Sequence, residues 1–471
     1  MQFSVEKDEP FVIFQILREI ARGKHGDGGT IDLSRGDPGY GFTPSVRGRL
    51  FASFVLFLDT VLNVTPENRF PRYTESDEQF IAALIERATR ETYAKERAEE
   101  LLSMLRKFLD AAKQAAREEG KDWTDFEVYR ALFGYCAMSG GSYLLPEGQE
   151  LTRVILAAWH RKEQGVDIHS SDIILTNGAS AAIGSLFKAL GEEGCGYLTA
   201  NDTVAIASPV YAPYNSILRE RNLRVLPFSI HPLTGKMDIS RLRKAAVRGP
   251  EGPSGPERAN DATGKPPKAL FLIAPNNPTG FSLPDRELEQ LAEIAREKNM
   301  LVITDEVYRS FFPGKNGMLA LAPERTICIS ARSKIERATG LRLGEMLILP
   351  EGRKTIAAML KLKDDEALRR LIIFAKAPGR VGGQFHHTTF VPGPSQLLGM
   401  AHTALGDEER AAYLRGLMEN RGVFSSELGL THQGNLYYVI FDLNALPNAR
   451  TKDLPIEEKL LRLAEAGVVY L

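Results

Sequence analysis

The sequence predicts an α/β fold in which parallel strands, buried on both faces, alternate with helices. Three stretches carry that prediction. Ala269-Leu270-Phe271-Leu272-Ile273-Ala274 is a short, continuously apolar run of the kind a doubly covered parallel strand requires. After it, Ser282, Pro284 and Asp285 give a helix-start signal, and Leu288, Leu291, Ala292 and Ala295 form an apolar stripe at helical spacing. Met300-Leu301-Val302-Ile303-Thr304 then reads as a second buried strand, completing a βαβ unit.

Ligands of open α/β sheets bind outside the carboxyl ends of the strands. Asn277 and Asp305 each follow such an end, so their side chains are expected in one crevice although they lie 28 residues apart. Thr176-Asn177-Gly178-Ala179-Ser180 precedes a helix through Ala181, Ile183, Leu186 and Phe187. Its first-turn amides lack intrahelical partners, so that start can cradle an anion.

Two segments interrupt the alternation. Glu78 to Asp125 is rich in Ala, Leu, Glu, Lys and Arg, with Leu101, Leu102, Leu105, Phe108 and Leu109 at helical spacing. It reads as a solvated helical insertion, extending to about residue 138, that packs on its neighbours, with a lid over an active site as the alternative. Arg248 to Pro267 contains Gly249-Pro250-Glu251-Gly252-Pro253-Ser254-Gly255-Pro256, too dense in turn residues for helix or strand, and reads as a surface loop.

Composition narrows the function classes. The chain has 471 residues, 43% hydrophobic and 25% charged, enough for a large core. With 59 basic against 60 acidic side chains it lacks the overall field that holds nucleic acid or an anionic membrane. Cys136, Cys195 and Cys328 are widely separated and lack metal-ligand spacing, which points to no metal, no disulfide framework and a reducing, cytoplasmic setting. The acids in Met1-Gln2-Phe3-Ser4-Val5-Glu6-Lys7-Asp8 do not fit a signal peptide, and no uncharged apolar run reaches the roughly 18 to 20 residues that cross a bilayer.

The most telling block is Ser333-Lys334-Ile335-Glu336-Arg337-Ala338-Thr339-Gly340-Leu341-Arg342-Leu343-Gly344, a lysine eight residues before an arginine set near two glycines. Upstream lie Asn277-Pro278-Thr279-Gly280 and Asp305-Glu306-Val307-Tyr308. Taken singly, the asparagine block reads as a turn; in this order, and on predicted strand ends, the three resemble the class I/II, fold type I aminotransferases that depend on pyridoxal 5′-phosphate. The resemblance implies a large domain with a mostly parallel, seven-stranded-type sheet flanked by helices, here 61–349. It also implies a smaller α+β domain from 1–60 and 350–471, the latter part incomplete.

It further implies roles residue by residue. Lys334 becomes the Schiff-base and proton-transfer residue, acting through quinonoid and ketimine intermediates. Asp305 partners the cofactor's ring nitrogen, and Asn277 and Tyr308 its phenolic oxygen. The phosphate falls to Gly178, Ala179, Ser180, Ser333 and Arg342, joined by Tyr143 from a neighbouring subunit, which makes the active unit a homodimer or higher homo-oligomer. Tyr211 stacks on the cofactor ring, and Gly36 faces the substrate carboxylate. The substrates implied are an amino acid and a 2-oxo acid.

Within this family the chain looks closest to the aspartate 4-decarboxylase and aspartate aminotransferase branch. The shared features are the helical insertion, Arg35-Gly36-Asp37-Pro38, His387-Thr388 followed by Pro394-Ser395-Gln396, and Leu436-Tyr437-Tyr438-Val439-Ile440-Phe441-Asp442-Leu443. Aspartate or a near relative is the implied substrate, Arg35 the candidate for its side-chain carboxylate, and release of alanine and carbon dioxide the alternative reaction. Two positions depart from the pattern. Ala331 stands where the family has a phosphate-binding serine, leaving Ser330, Ser333 or Arg332 to replace it. The chain ends at Val468-Val469-Tyr470-Leu471, before the family's α-carboxylate arginine, so weak transamination or a catalytically impaired cofactor-binding protein is the competing expectation.

Overall fold

The computed structural model describes residues 10–29, 31–32, 98–133, 135, 144–231, 234–245, 266–312, 317–374, 391–428, 454–466 and 468–469. Its centre is a sheet of eight strands among those residues: β2 (Ile173–Thr176), β3 (Thr203–Ser208), β4 (Arg224–Ile230), β5 (Met237–Asp238), β6 (Ala269–Ile273), β7 (Leu301–Asp305), β8 (Thr326–Ala331) and β9 (Gly344–Leu347). They lie in the order β2-β9-β8-β7-β6-β3-β4-β5. The run from β8 to β4 is parallel, while β9 is antiparallel to both neighbours and the two-residue β5 is antiparallel to β4. The expected mostly parallel sheet is therefore present, with β5 as an added edge.

Side-chain alternation assigns the strands' residues to opposite faces. Phe271, Ile303 and Ile329 join Ile183, Leu186 and Phe187 of helix α5 (Ala179–Leu190) in one core. Leu270, Leu272 and Val302 face the other way, onto Leu288, Leu291, Ala292 and Ala295 of α7 (Asp285–Glu297). Burial on both faces explains why these strands read as unbroken apolar runs. The first core also takes in Ile356, Leu368, Leu371 and Ile372 from α8 (Pro350–Met359) and α9 (Asp365–Phe374).

The βαβ expectation is met with small shifts. The second strand runs one residue later than predicted, ending on Asp305. Helix α7 does not start at Ser282: Pro284 is its N-cap, held extended at φ −61 and ψ 140, and Asp285 is the first helical residue. The Glu287 carboxylate accepts from the Met237 amide at 3.1 Å, so the acid three residues past Pro284 ties the helix start to the sheet edge.

Of the predicted helical insertion, the part from Ala98 onward is described. It forms α2 (Ala98–Arg117) and α3 (Asp125–Phe133). Leu105, Phe108, Leu109 and Ala112 are buried against Leu151 and Ile155 of α4 (Glu150–Gln164) and Leu397, Met400 and Ala401 of α10 (Gly393–Leu405). The insertion thus has a core of its own with α4, whose far side carries Leu156 onto the sheet. Elsewhere α1 (Pro10–Gly29) packs through Ile13, Leu17 and Ala21 on Ala464 of α12 (Ile456–Glu465), and β1 (Ile31–Asp32) pairs in parallel with β10 (Val468–Val469). The predicted loop at 248–267 lies almost wholly outside the described residues, and no described helix is long and apolar enough to cross a membrane.

Phe271 sits at the middle of this sheet, fully buried, with ring centroids 5.4 Å from Phe187 and 4.9 Å from Tyr214. Phe271→Ala should cost about 3–5 kcal/mol through lost transfer energy and a cavity. A urea midpoint within experimental error of the parent's would show that this core is not what holds the sheet.

Candidate functional site

The strand register sets the site. Thr176 of β2 lies opposite Gly344 of β9, Gly344 opposite Ala331 of β8, and Asp305 of β7 beside Ile273 of β6. These residues end the strands at one edge of the sheet, so the segments leaving that edge are neighbours in space. They carry Asn177 and Gly178, Arg342, Lys334, Asp305 itself, and Asn277. Tyr211 follows the end of β3, the next strand over.

Gly178 caps α5 at φ +83, a backbone conformation that favours glycine, and no side chain caps the helix. By helix geometry the Ala179, Ser180 and Ala181 amides point out of this end, and Ser180 is exposed. The Arg342 guanidinium crosses the same end: Nη2 donates to Asn177 O and Nη1 to Thr339 O, both at 3.3 Å. A Cβ on Gly178 would lie 2.8 Å from Arg342 Cζ, and one on Gly344 would lie 2.6 Å from the Gly178 carbonyl carbon. Both glycines are thus needed for the arginine, β9 and the helix start to meet, and together they form a concentrated anion site.

Asp305 is the opposite pole. It is 3% exposed, accepts from the Tyr214 hydroxyl, and accepts from the Val307 amide at 3.1 Å. Burial raises its pKa from 3.8 to about 6, opposed by those two hydrogen bonds and by the positive charge of Lys334. A buried carboxylate held mainly by neutral donors favours a cation beside it. Lys334 extends over the Tyr308 ring, with Nζ 5.8 Å from the centroid, and Asn277 Nδ2 donates to the Tyr308 hydroxyl at 3.4 Å. Tyr211 is 41% exposed and stands edge-on to Tyr214 at 5.3 Å. Burial pushes its hydroxyl pKa up, with Asp305 adding to the rise and Arg342 opposing it.

Gly178, Ala179, Ser180, Tyr211, Asn277, Asp305, Tyr308, Lys334 and Arg342 therefore lie together at one edge of the sheet. Arg35, Gly36 and Tyr143 lie outside the described residues, as do His387, Thr388 and Leu436 to Leu443. One expectation needs correction. Arg332 is committed away from the role expected of it beside Ala331: it is fully buried, its Nη2 donates to Ser330 Oγ and its guanidinium pairs with Glu345 at 2.8 Å. Tyr214 escaped the sequence reading: it sits one helical turn past Tyr211, in a segment where only the first ring had drawn attention. Among the described residues no group of His, Cys, Asp and Glu could hold a metal ion.

A family model described as aminotransferase class I and II matches residues 137–446. The aspartate/prephenate aminotransferase of Thermus thermophilus is 29% identical over 250 residues, 52% of this chain and 57% of that protein. A bifunctional aspartate aminotransferase and L-aspartate beta-decarboxylase from a Pseudomonas species is 28% identical over 183 residues, 37% of this chain and 30% of that protein. The chain thus spans little more than half of the first relative and less of the second. A solved structure of a double mutant of Thermus thermophilus aspartate aminotransferase superposes with a TM-score of 0.52 at 25% identity, covering 76% of this chain and 79% of that one.

The raised Asp305 pKa has a consequence for stability. The folded state binds this proton more tightly than the unfolded chain does, so the carboxyl's contribution is favourable at low pH and is lost as pH rises from 3.8 to about 6. Without cofactor, Asp305→Asn should match the parent below pH ~4 and exceed it by up to about 3 kcal/mol at pH ~7. Melting curves across that range check this, and a difference independent of pH would contradict it.

Proposed function

From the premise that the chain belongs to the class I and II aminotransferases, whose cofactor is pyridoxal 5′-phosphate, we propose that it transfers amino groups between an amino acid and a 2-oxo acid, with an aspartate-like substrate. The observation that carries this reading is the pairing of a buried acid, Asp305, with a helix-start anion site crossed by Arg342, and an amine, Lys334, within the same crevice. The donor set fits the cofactor. An anion site suits a phosphate, a buried carboxylate suits a ring nitrogen that must stay protonated, and the Asn277 and Tyr308 donors suit a phenolic oxygen.

Bound there, pyridoxal phosphate supplies an electron sink for the charge left when a proton leaves the substrate's α-carbon. Asp305 keeps a proton on the ring nitrogen, and Tyr214 and the Val307 amide hold the carboxylate in place for it. Lys334 would anchor the cofactor through Nζ and, once displaced by substrate, its amine would take the substrate's α-proton and deliver it to the cofactor carbon bonded to the substrate nitrogen. Tyr211 would stack on the ring and add apolar contact to it. Arg342 and the first turn of α5 fix the phosphate end, which restricts the rotation of the whole group.

Aspartate is favoured because the relatives named above act on it, and the bifunctional Pseudomonas protein also supports 4-decarboxylation as a second reading. Alanine and carbon dioxide release from aspartate, without matching keto acid, would select that second reaction.

Two measurements test the proposal. Protein mixed with pyridoxal phosphate should develop a visible absorption band that aspartate shifts and that Lys334→Ala lacks. A band indifferent to aspartate but shifted by another amino acid would reassign the substrate, and no band in the parent would overturn the proposal. Arg342→Ala should weaken pyridoxal phosphate binding by about 10- to 100-fold, the worth of a charged hydrogen bond. Pyridoxal, which lacks the phosphate, should bind the variant and parent alike; equal losses for both would place the phosphate elsewhere.

A further inference from the structure

Lys334 is bracketed by two buried ion pairs that the chemistry above does not use. Two residues before it, Arg332 is fully buried and pairs through Nε with Glu345 Oε1 at 2.8 Å, and Nη2 donates to Glu345 Oε2 at 3.3 Å. Its guanidinium lies flat on Trp159, with Cζ 3.7 Å from the ring centroid. Glu345 also accepts from His160 Nε2, and Gln164 Nε2 donates to His160 Nδ1 at 3.0 Å, which fixes the imidazole as the neutral Nε2–H tautomer. Burial lowers the His160 pKa in agreement with that, although Glu345 opposes the shift. Two residues after Lys334, Glu336 pairs with Arg410 at 2.8 Å, both side chains nine-tenths or more buried.

The first of these clusters is joined to the site by the sheet. Arg332 N donates to Leu343 O at 3.0 Å directly after the Ala331–Gly344 pair, and Glu345 follows Gly344, the residue pressed against the start of α5. The strand ends that carry Lys334 and Arg342 are thus tied together by the Arg332 and Glu345 side chains. A buried ion pair is a weak source of stability, since an apolar pair of similar volume often does as well. What such a pair does supply is a fixed geometry, because the guanidinium fork, the carboxylate and the indole face admit one arrangement.

We propose that Arg332 and Glu345, stacked on Trp159 and completed by His160, are positioning residues for Lys334, with Glu336 and Arg410 pinning the other end of the same peptide. They hold the Lys334 backbone so that Nζ stays over Tyr308 and close to Asp305. This rests on the reading of Lys334 as the cofactor's anchor. The pairs do not touch the cofactor and take no proton in the reaction.

The test replaces the pair rather than breaking it. Arg332→Met/Glu345→Gln leaves no unpaired buried charge, and the introduced amide oxygen can still accept from His160. The variant should fold, as followed by far-ultraviolet circular dichroism and melting without cofactor. When loaded with pyridoxal phosphate, its visible circular dichroism should fall and cofactor release should quicken by about tenfold or more, the consequence of a mispositioned anchor. Arg332→Lys keeps a cation beside Glu345 and loses the flat stack, so it should fold even where the pair variant does not, and should show an intermediate loss of both signals. Visible circular dichroism and release rate equal to the parent's in either variant would overturn the proposal and leave the pairs as structure alone. A parent lacking any Lys334-dependent visible band would overturn the anchor reading, and the positioning role with it.

Discussion

The register of the strands at the carboxyl edge of the sheet is the constraint on which the rest depends. Thr176, Gly344 and Ala331 lie side by side across β2, β9 and β8, with Asp305 at the end of the next strand. Because β9 runs antiparallel to its neighbours, its first residue arrives where theirs leave, and Arg342 enters the crevice from which Lys334 departs. A one-residue slip would turn every side chain in the slipped strand to the opposite face. Gly344 guards this register: any side chain there would meet the Gly178 backbone and Thr176 Oγ1.

On that frame the charges separate by kind. Positive potential collects where α5 begins, from unpaired amides and from Arg342, while negative charge sits at Asp305, deep enough that burial raises its pKa. Both charges act on the Tyr211 hydroxyl, Asp305 raising its pKa and Arg342 opposing the rise. The buried charges that flank Lys334 in the chain are paired. Arg332 and His160 hold the Glu345 carboxyl below its ordinary range despite full burial, and Arg410 faces Glu336.

Much of this was legible in the sequence. Continuous apolar runs identified β6 and β7 because such runs are too short for a buried helix and suit a strand covered on both faces, and the i, i+3, i+4, i+7 stripe identified α7. Asn277 and Asp305 could be placed in one crevice because strand ends of a parallel sheet point the same way. Side-chain pairing across the sheet was not legible. Nothing local in Arg332 or Glu345 distinguishes a buried partner from a surface charge, since their contact spans 13 residues and depends on antiparallel β9. The helical insertion was found by its periodicity, but its second core with α10 joins segments far apart in the chain, a contact that periodicity cannot report. Ser282 misled because a serine before an acid resembles a cap, whereas Pro284 already holds the extended backbone a cap needs.

Every functional step proposed runs through one nitrogen, Lys334 Nζ, and a direct measurement can ask which amine carries the cofactor. Protein loaded with pyridoxal phosphate is reduced with borohydride, digested, and mapped by mass spectrometry. The pyridoxyl mass should appear on the peptide containing Lys334 and be absent from all other lysines. The label on a different lysine, or on none, would contradict the assignment of this crevice as the cofactor site.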